Sequence, residues 1–265
     1  MVSNFNKIIA YGCSFTAGQE LGDAEILGKT HDEVDRLKAE HGLGDKAYRK
    51  VYGGLAREAE EYGKTLAWPS QLAKKVNIPC SNRAVNGSNI SNVMFRIQRD
   101  MHEGSIKETD LILVGITSPN RFFYLTENVN EVNQVFNFRE TWGDPKLYDA
   151  LMVDYVNDVN LIYQYIRDLK CLDDMATKYF NGRMFLTMTV HSLDGWKNFF
   201  SGYKKKLPWL DSFKFDNLLL PDFAFQNIRE EHKLEPHTWS HPKLQSHIIY
   251  ADKIYNELVS KGVLQ

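Results

Sequence analysis

The sequence predicts an α/β fold, a three-layer sandwich with a central parallel sheet flanked by helices and a helical insertion after the first strand. Three observations predict it. Apolar runs of strand length recur at Lys7–Cys13, Asp110–Ile116 and Met184–Val190, with a weaker one at Ile78–Val85. Helical patterns separate them, and this alternation argues for parallel strands, because each parallel return needs a long crossover. Polar, glycine-containing motifs follow the strands, where such sheets gather their ligands.

Taken in order, KIIAYGC (Lys7–Cys13) is a short apolar run ending in a glycine turn, as a buried strand does. Residues 19–66 are unusually charged for their place. They carry two helical patterns, Thr30–His41 and Lys46–Tyr62, separated by Gly42-Leu43-Gly44. This insertion reads either as a cap or arm, or as a plain solvated hairpin. Trp68-Pro69 opens a short helix, with proline in its first turn as expected. Ile90–Met101 places Ile90, Val93, Met94 and Ile97 on one helical face. DLILVGI (Asp110–Ile116) is the strongest strand signal in the chain. Residues 119–146 read as a loop excursion, Leu147–Tyr179 as a long helix and MFLTMTV (Met184–Val190) as another buried strand. The stretch 191–236 is rich in aromatics without a period and reads as a loop or lid segment, or as a packed extension of the core. Pro242–Lys261 closes the chain as a helix.

At 265 residues the chain suits a single domain, 1–265, that buries a core without staples. A net charge of −2 supplies no global basic field, so no nucleic acid is indicated, and the Lys204–Lys206 run reads as solvated surface. Three cysteines, Cys13, Cys80 and Cys171, are an odd and sparse set, which favours a reducing compartment over a disulfide framework. The opening MVSNFNKIIAYGCSF lacks the apolar run of a signal peptide, and no stretch approaches a membrane span. A cytoplasmic protein without a membrane partner is expected.

Four motifs fall at strand ends. In Tyr11-Gly12-Cys13-Ser14-Phe15-Thr16-Ala17-Gly18, Ser14 sits on a tight turn after a buried strand, either as a nucleophile or as a helix cap. In Asn82–Asn89, Gly87 permits close backbone approach to a ligand, while Ser88 or Asn89 suits a helix cap. Val114–Arg121 brings Thr117, Asn120 and Arg121 to the end of the strongest strand, with Arg121 suited to an anionic group or an acidic neighbour. In Thr238-Trp239-Ser240-His241-Pro242, His241 is held on a rigid turn, and a neutral imidazole there can take a proton from a serine hydroxyl.

The order and form of these motifs resemble the SGNH, or GDSL-like, hydrolases over nearly the whole chain. The resemblance implies an SGNH/flavodoxin-like fold with Ser14 as nucleophile and His241 as base. It makes the Gly87 N–H an oxyanion donor, with Thr117 in the register of the family's oxyanion asparagine. Asn89 and Asn120 are alternatives for that donor, and Arg121 is a substrate-binding candidate. The implied substrate is a small-molecule or carbohydrate ester, an O-acetyl or other short acyl group among them, with no cofactor and no metal. More narrowly, GCSFTAG, the WP helix and SPNR resemble SGNH-type proteins of large tailed phages, which would place the protein in host cytoplasm.

Three departures stand against the family pattern. Cysteine precedes the serine and threonine replaces the oxyanion asparagine, and Thr238 stands where the family places the acid that orients the histidine. Glu235, Asp222 or a backbone carbonyl is a stand-in for that acid. A catalytically degenerate binding, structural or assembly protein on the same fold is therefore the alternative reading. Two weaker alternatives are a metal held by His237, His241 and His247, which Pro242 opposes by breaking a continuous helix, and Cys13 as the nucleophile.

Overall fold

The structure is a computed structural model that describes residues 5–40, 45–119, 121–123, 135–137, 158–237 and 241–265. Its main sheet is formed by β1 (Lys7–Tyr11), β2 (Cys80–Asn82), β3 (Asp110–Ile116), β6 (Met184–Met188) and β7 (Leu218–Leu219). Their spatial order is β2-β1-β3-β6-β7, and every pair is parallel. Two short strands outside it, β4 (Arg121–Phe123) and β5 (Val135–Asn137), pair antiparallel.

The strands read as unbroken apolar runs because both faces of the sheet are covered. Alternate residues serve opposite layers. Ile9 and Tyr11 of β1, Ile112, Val114 and Ile116 of β3, and Met184, Leu186 and Met188 of β6 enter one core. There they meet α6 (Ile90–His102) and α7 (Asp158–Phe180) through Ile90, Val93, Ile97, Ile162, Ile166 and Leu169. Ile8, Leu111, Leu113 and Phe185 enter the other core, against α5 (Trp68–Val76) and α10 (Leu244–Ser260) through Trp68, Leu72, Tyr250 and Ile254. Local chemistry fixes the helix ends. The Asn89 side chain accepts from Asn92 N at 2.8 Å to cap α6, and Asn77 ends α5 in the left-handed conformation.

The segment 191–236 contributes α8 (Leu193–Phe199), two 3₁₀ turns, β7 and α9 (Phe225–His232). Trp196, Phe200, Tyr203, Leu210 and Phe225 are buried in the two cores, whereas Phe199 and Trp209 are exposed. Its aromatics lack a period because they belong to short elements of different kinds. Among the described residues, no helix is long and apolar enough to cross a membrane.

Between β1 and α5 lie α1 (Ser14–Ala17), α2 (Asp23–Leu27), α3 (His31–Glu40) and α4 (Asp45–Leu66), the last kinked at Gly53. The solvated-hairpin reading does not describe α4, whose Ala56 and Ala59 are buried. Its backbone lies directly on the turn that follows β1. A Cβ on Gly22 would stand 2.1 Å from the Ala59 carbonyl oxygen, and one on Gly63 would stand 2.5 Å from that of Gly18. Only glycine permits that approach.

Candidate functional site

The chain passes from β1 to β2 on one side and then returns to β3 on the other, so the connections after β1 and β3 leave in opposite directions. In open parallel sheets such a switch point leaves a crevice at the carboxyl ends. Ser14 follows β1 and Thr117 follows β3, so both stand at that switch.

Ser14 is the first residue of α1 and is 2% exposed. Cys13 precedes it as the N-cap, fully buried, with its carbonyl accepting from Thr16 N and Ala17 N. The strand has already ended at Tyr11, so the two side chains are not successive strand positions. Gly12 has φ +153°, and a Cβ there would lie 2.3 Å from Thr16 Oγ1. The same hydroxyl would lie 1.9 Å from a Cβ on Gly115, so two glycines, one just past the end of β1 and one within β3, admit the turn of the serine.

The turn is also tied to the loop after β2. Asn82 Nδ2 donates to the Thr16 carbonyl at 2.8 Å, and Val85 N donates to the Gly12 carbonyl at 3.0 Å. Ser88 N donates to the Val85 carbonyl at 3.1 Å, closing a turn around Asn86 and Gly87. Gly87 has φ +81°, the conformation a type II turn requires at its third residue and glycine supplies without strain. The Asn89 carbonyl is committed to capping α6, as the cap reading of that residue holds. Thr117 is 1% exposed, and its hydroxyl is buried without a hydrogen-bond partner among the described residues. Asn120 and the Arg121 side chain lie outside the described residues.

His241 is 8% exposed, and its ring packs on Phe15 at 5.4 Å between centroids. His237 N donates to the His241 carbonyl at 2.8 Å, which braces the backbone on which the imidazole is mounted. Thr238 lies outside the described residues. The acid beside the imidazole is neither Glu235 nor Asp222. It is Glu20, whose Oε2 stands 2.8 Å from His241 Nδ1. Both side chains are buried, and an ionised carboxylate only accepts, so Nδ1 is the donor in this contact.

Glu20 has φ +74°, a left-handed backbone that costs a non-glycine residue on the order of 1–3 kcal/mol and is held only where its surroundings demand it. The demand comes from both sides. Gly18 ends α1 in the left-handed conformation, and α4 presses on Gly18 and Gly22. Nothing in the local sequence singles Glu20 out, because it is one acid at the head of a charged stretch. Its strained backbone and its 221-residue separation from His241 emerge only on folding.

His247 belongs to the core. Its Nδ1 accepts from Trp68 N at 3.1 Å, and burial, with His237 and His241 nearby, pushes its pKa down to about 3. Among the described residues, no group of three His, Cys, Asp or Glu side chains is placed to hold a metal.

Strand order and strand-end motifs define the class of the molecule: a three-layer parallel α/β protein with Ser14 and Thr117 at its switch point and a buried Glu20–His241 pair whose imidazole packs on Phe15. No family model matches the chain, and no curated protein matches it. Among solved structures it is similar to a carbohydrate esterase whose active site displays divergent catalytic and non-catalytic binding functions, at 14% identity and TM-score 0.46. That match covers 96% of this chain and 64% of the other, so the chain spans less than two thirds of that esterase. It is also similar to the psychrotrophic esterase EstA from Pseudoalteromonas sp., at 11% identity and TM-score 0.48, covering 97% and 98% of the two chains. A third is a member of the lipolytic protein G-D-S-L family from Veillonella parvula DSM 2008, at 9% identity and TM-score 0.43, covering 96% of each.

Proposed function

We propose that the protein is a serine esterase or deacylase acting on a short acyl ester of a small molecule or carbohydrate. One observation carries this reading: the buried Glu20 carboxylate 2.8 Å from His241 Nδ1. A histidine so held presents Nε2 as a base of fixed tautomer, which is the condition for activating a serine hydroxyl. The contact also answers the objection raised by Thr238, since the orienting acid comes from a different part of the chain.

In this mechanism Ser14 Oγ attacks the ester carbonyl carbon while its proton passes to His241 Nε2. The carbonyl π pair moves onto oxygen, and the N–H groups of Ser14 and Gly87 with the Thr117 hydroxyl stabilise that oxyanion. Collapse expels the alcohol, which takes the proton from His241 and leaves acyl-Ser14. Water, deprotonated by His241, then attacks the acyl carbon, and collapse of that intermediate breaks the acyl–Ser14 bond, returns the proton from His241 to Ser14 Oγ and releases the acid. Glu20 stays ionised throughout and supports the transient imidazolium.

Hydrolysis of p-nitrophenyl acetate by wild type, Ser14→Ala and His241→Ala tests the reading. Activity in wild type, lost in both folded variants, is the expected result. Full activity in Ser14→Ala overturns it. A binding or assembly role is favoured by one feature, the short Thr117 side chain at the end of β3 in place of a longer amide. Ligand binding that survives combined replacement of Ser14 and His241 would support that second reading.

A further inference from the structure

Helix α4 touches the strand-end turns a second time, through a side chain. Asn86 Nδ2 donates to Glu60 Oε1 at 2.5 Å. A carboxylate only accepts, so the amide nitrogen must face Glu60 and the orientation of the Asn86 side chain is determined. Asn86 Oδ1 is buried on the other side.

We infer that Glu60 is a positioning residue for the oxyanion donor, acting through Asn86 on the Gly87 N–H, so that α4 is part of the catalytic apparatus. The inference rests on the esterase reading above. The Gly87 N–H lies in the peptide plane shared with the Asn86 carbonyl. That plane is the central peptide of the Val85–Ser88 turn, the one whose rotation separates type I from type II geometry. Gly87 lacks a Cβ and resists this rotation weakly, so the turn needs an outside anchor. Glu60 supplies it from a helix that is itself fixed, since α4 lies backbone to backbone on Gly18 and Gly22. One helix thereby sets both the turn that bears Glu20 and the turn that bears Gly87. The length and charge of the insertion acquire a reason.

The experiment compares Glu60→Ala and Glu60→Gln with wild type in the full-length protein, with two readouts. The first is p-nitrophenyl acetate kinetics. Glu60→Ala lowers kcat by at least about tenfold, below the ~10²–10³ lost with a whole oxyanion donor, with a smaller change in KM. Affinity for a trifluoromethyl ketone, which forms a tetrahedral oxyanion on serine, falls in parallel. Glu60→Gln, whose side-chain oxygen still accepts from Asn86, recovers most of the loss. The second readout is the hydrogen-exchange rate of the Gly87 amide, which rises in Glu60→Ala, is restored in Glu60→Gln, and requires no catalysis. An active wild type with Glu60→Ala matching it in kcat overturns the inference and leaves the esterase reading standing. An inactive wild type overturns the esterase reading. In that case the Gly87 exchange rate still decides whether Glu60 sets the turn, and an unchanged rate overturns that too.

Discussion

Glu20 Oε2 stands 2.8 Å from His241 Nδ1, and Glu20 lies only six residues after Ser14 in the chain. The proposed nucleophile and the acid are thus carried by one turn after β1, while the histidine arrives from the far end of the chain. The acid does not share the loop of the histidine. It is set by the rigidity of the turn beneath it and by the helix packed against that turn.

If Glu20 orients His241, Glu20→Gln lowers kcat on p-nitrophenyl acetate by roughly 10³–10⁴ while the fold is kept. Glu235→Gln and Asp222→Asn, which alter the acids the sequence suggested, stay close to wild type. Steady-state kinetics on the three variants checks this. Equal losses in all three would show that the acid is not specific.

The backbone contact between α4 and the turn gives a paired test of packing. Gly22→Ala drives a Cβ to 2.1 Å from the Ala59 carbonyl oxygen, and overpacking of this kind destabilises by about 1–3 kcal/mol. Gly54→Ala, within α4 itself and with nothing inside 4 Å of its Cβ, stabilises by about 0.4–1 kcal/mol by restricting the unfolded chain. Urea unfolding of the two variants should move in opposite directions.

His247 makes stability depend on pH. Its folded pKa, pushed down to about 3 by burial first and by His237 and His241 second, lies below the usual 6.5. Between these values the unfolded chain binds a proton that the folded one refuses, so stability rises with pH. Acidification from pH 6.5 therefore removes about 1.4 kcal/mol per pH unit through this group. His247→Asn places an amide oxygen where Nδ1 accepts from Trp68 N, and should flatten this slope in urea titrations across the window. An unchanged slope would mean that His247 is charged in the folded protein.

Asp100 gives the opposite kind of group. Burial works to raise its pKa, but hydrogen bonds from Tyr11 at 2.6 Å, Arg83 at 2.6 Å and Arg99 at 3.0 Å outweigh it and hold the carboxyl below its usual value. The stabilisation is present above the unfolded pKa and is lost as pH falls through the folded one. Asp100→Asn should cost about 2–3 kcal/mol at neutral pH, with the gap to wild type narrowing in acid. A constant gap at all pH values would assign the loss to packing instead.

The sequence by itself determined the elements and their layering. β3 is bounded as its apolar run predicts, at Asp110–Ile116, and α5 as its Trp-Pro start predicts, because burial on both faces and helix-end chemistry are written in neighbouring residues. It also brought Ser14, Gly87 and Thr117 to strand ends, since a turn after a strand is a local event. The parallel order then follows from the alternation of strands and helices. What only the tertiary structure decided is which groups meet. Glu20 reads as one more charge in a polar stretch, and its left-handed backbone is imposed by a helix that begins twenty-five residues later at Asp45. Glu60 carries no motif, and Asn86 lies in the Asn82–Asn89 motif without a role of its own there. Their contact depends on the angle at which α4 returns over the sheet edge, which is set by backbone packing at Gly18, Gly22, Ala59 and Gly63. Propensity and periodicity act over a few residues. The partners of a buried carboxylate are chosen by long-range packing, and a local pattern holds no record of them.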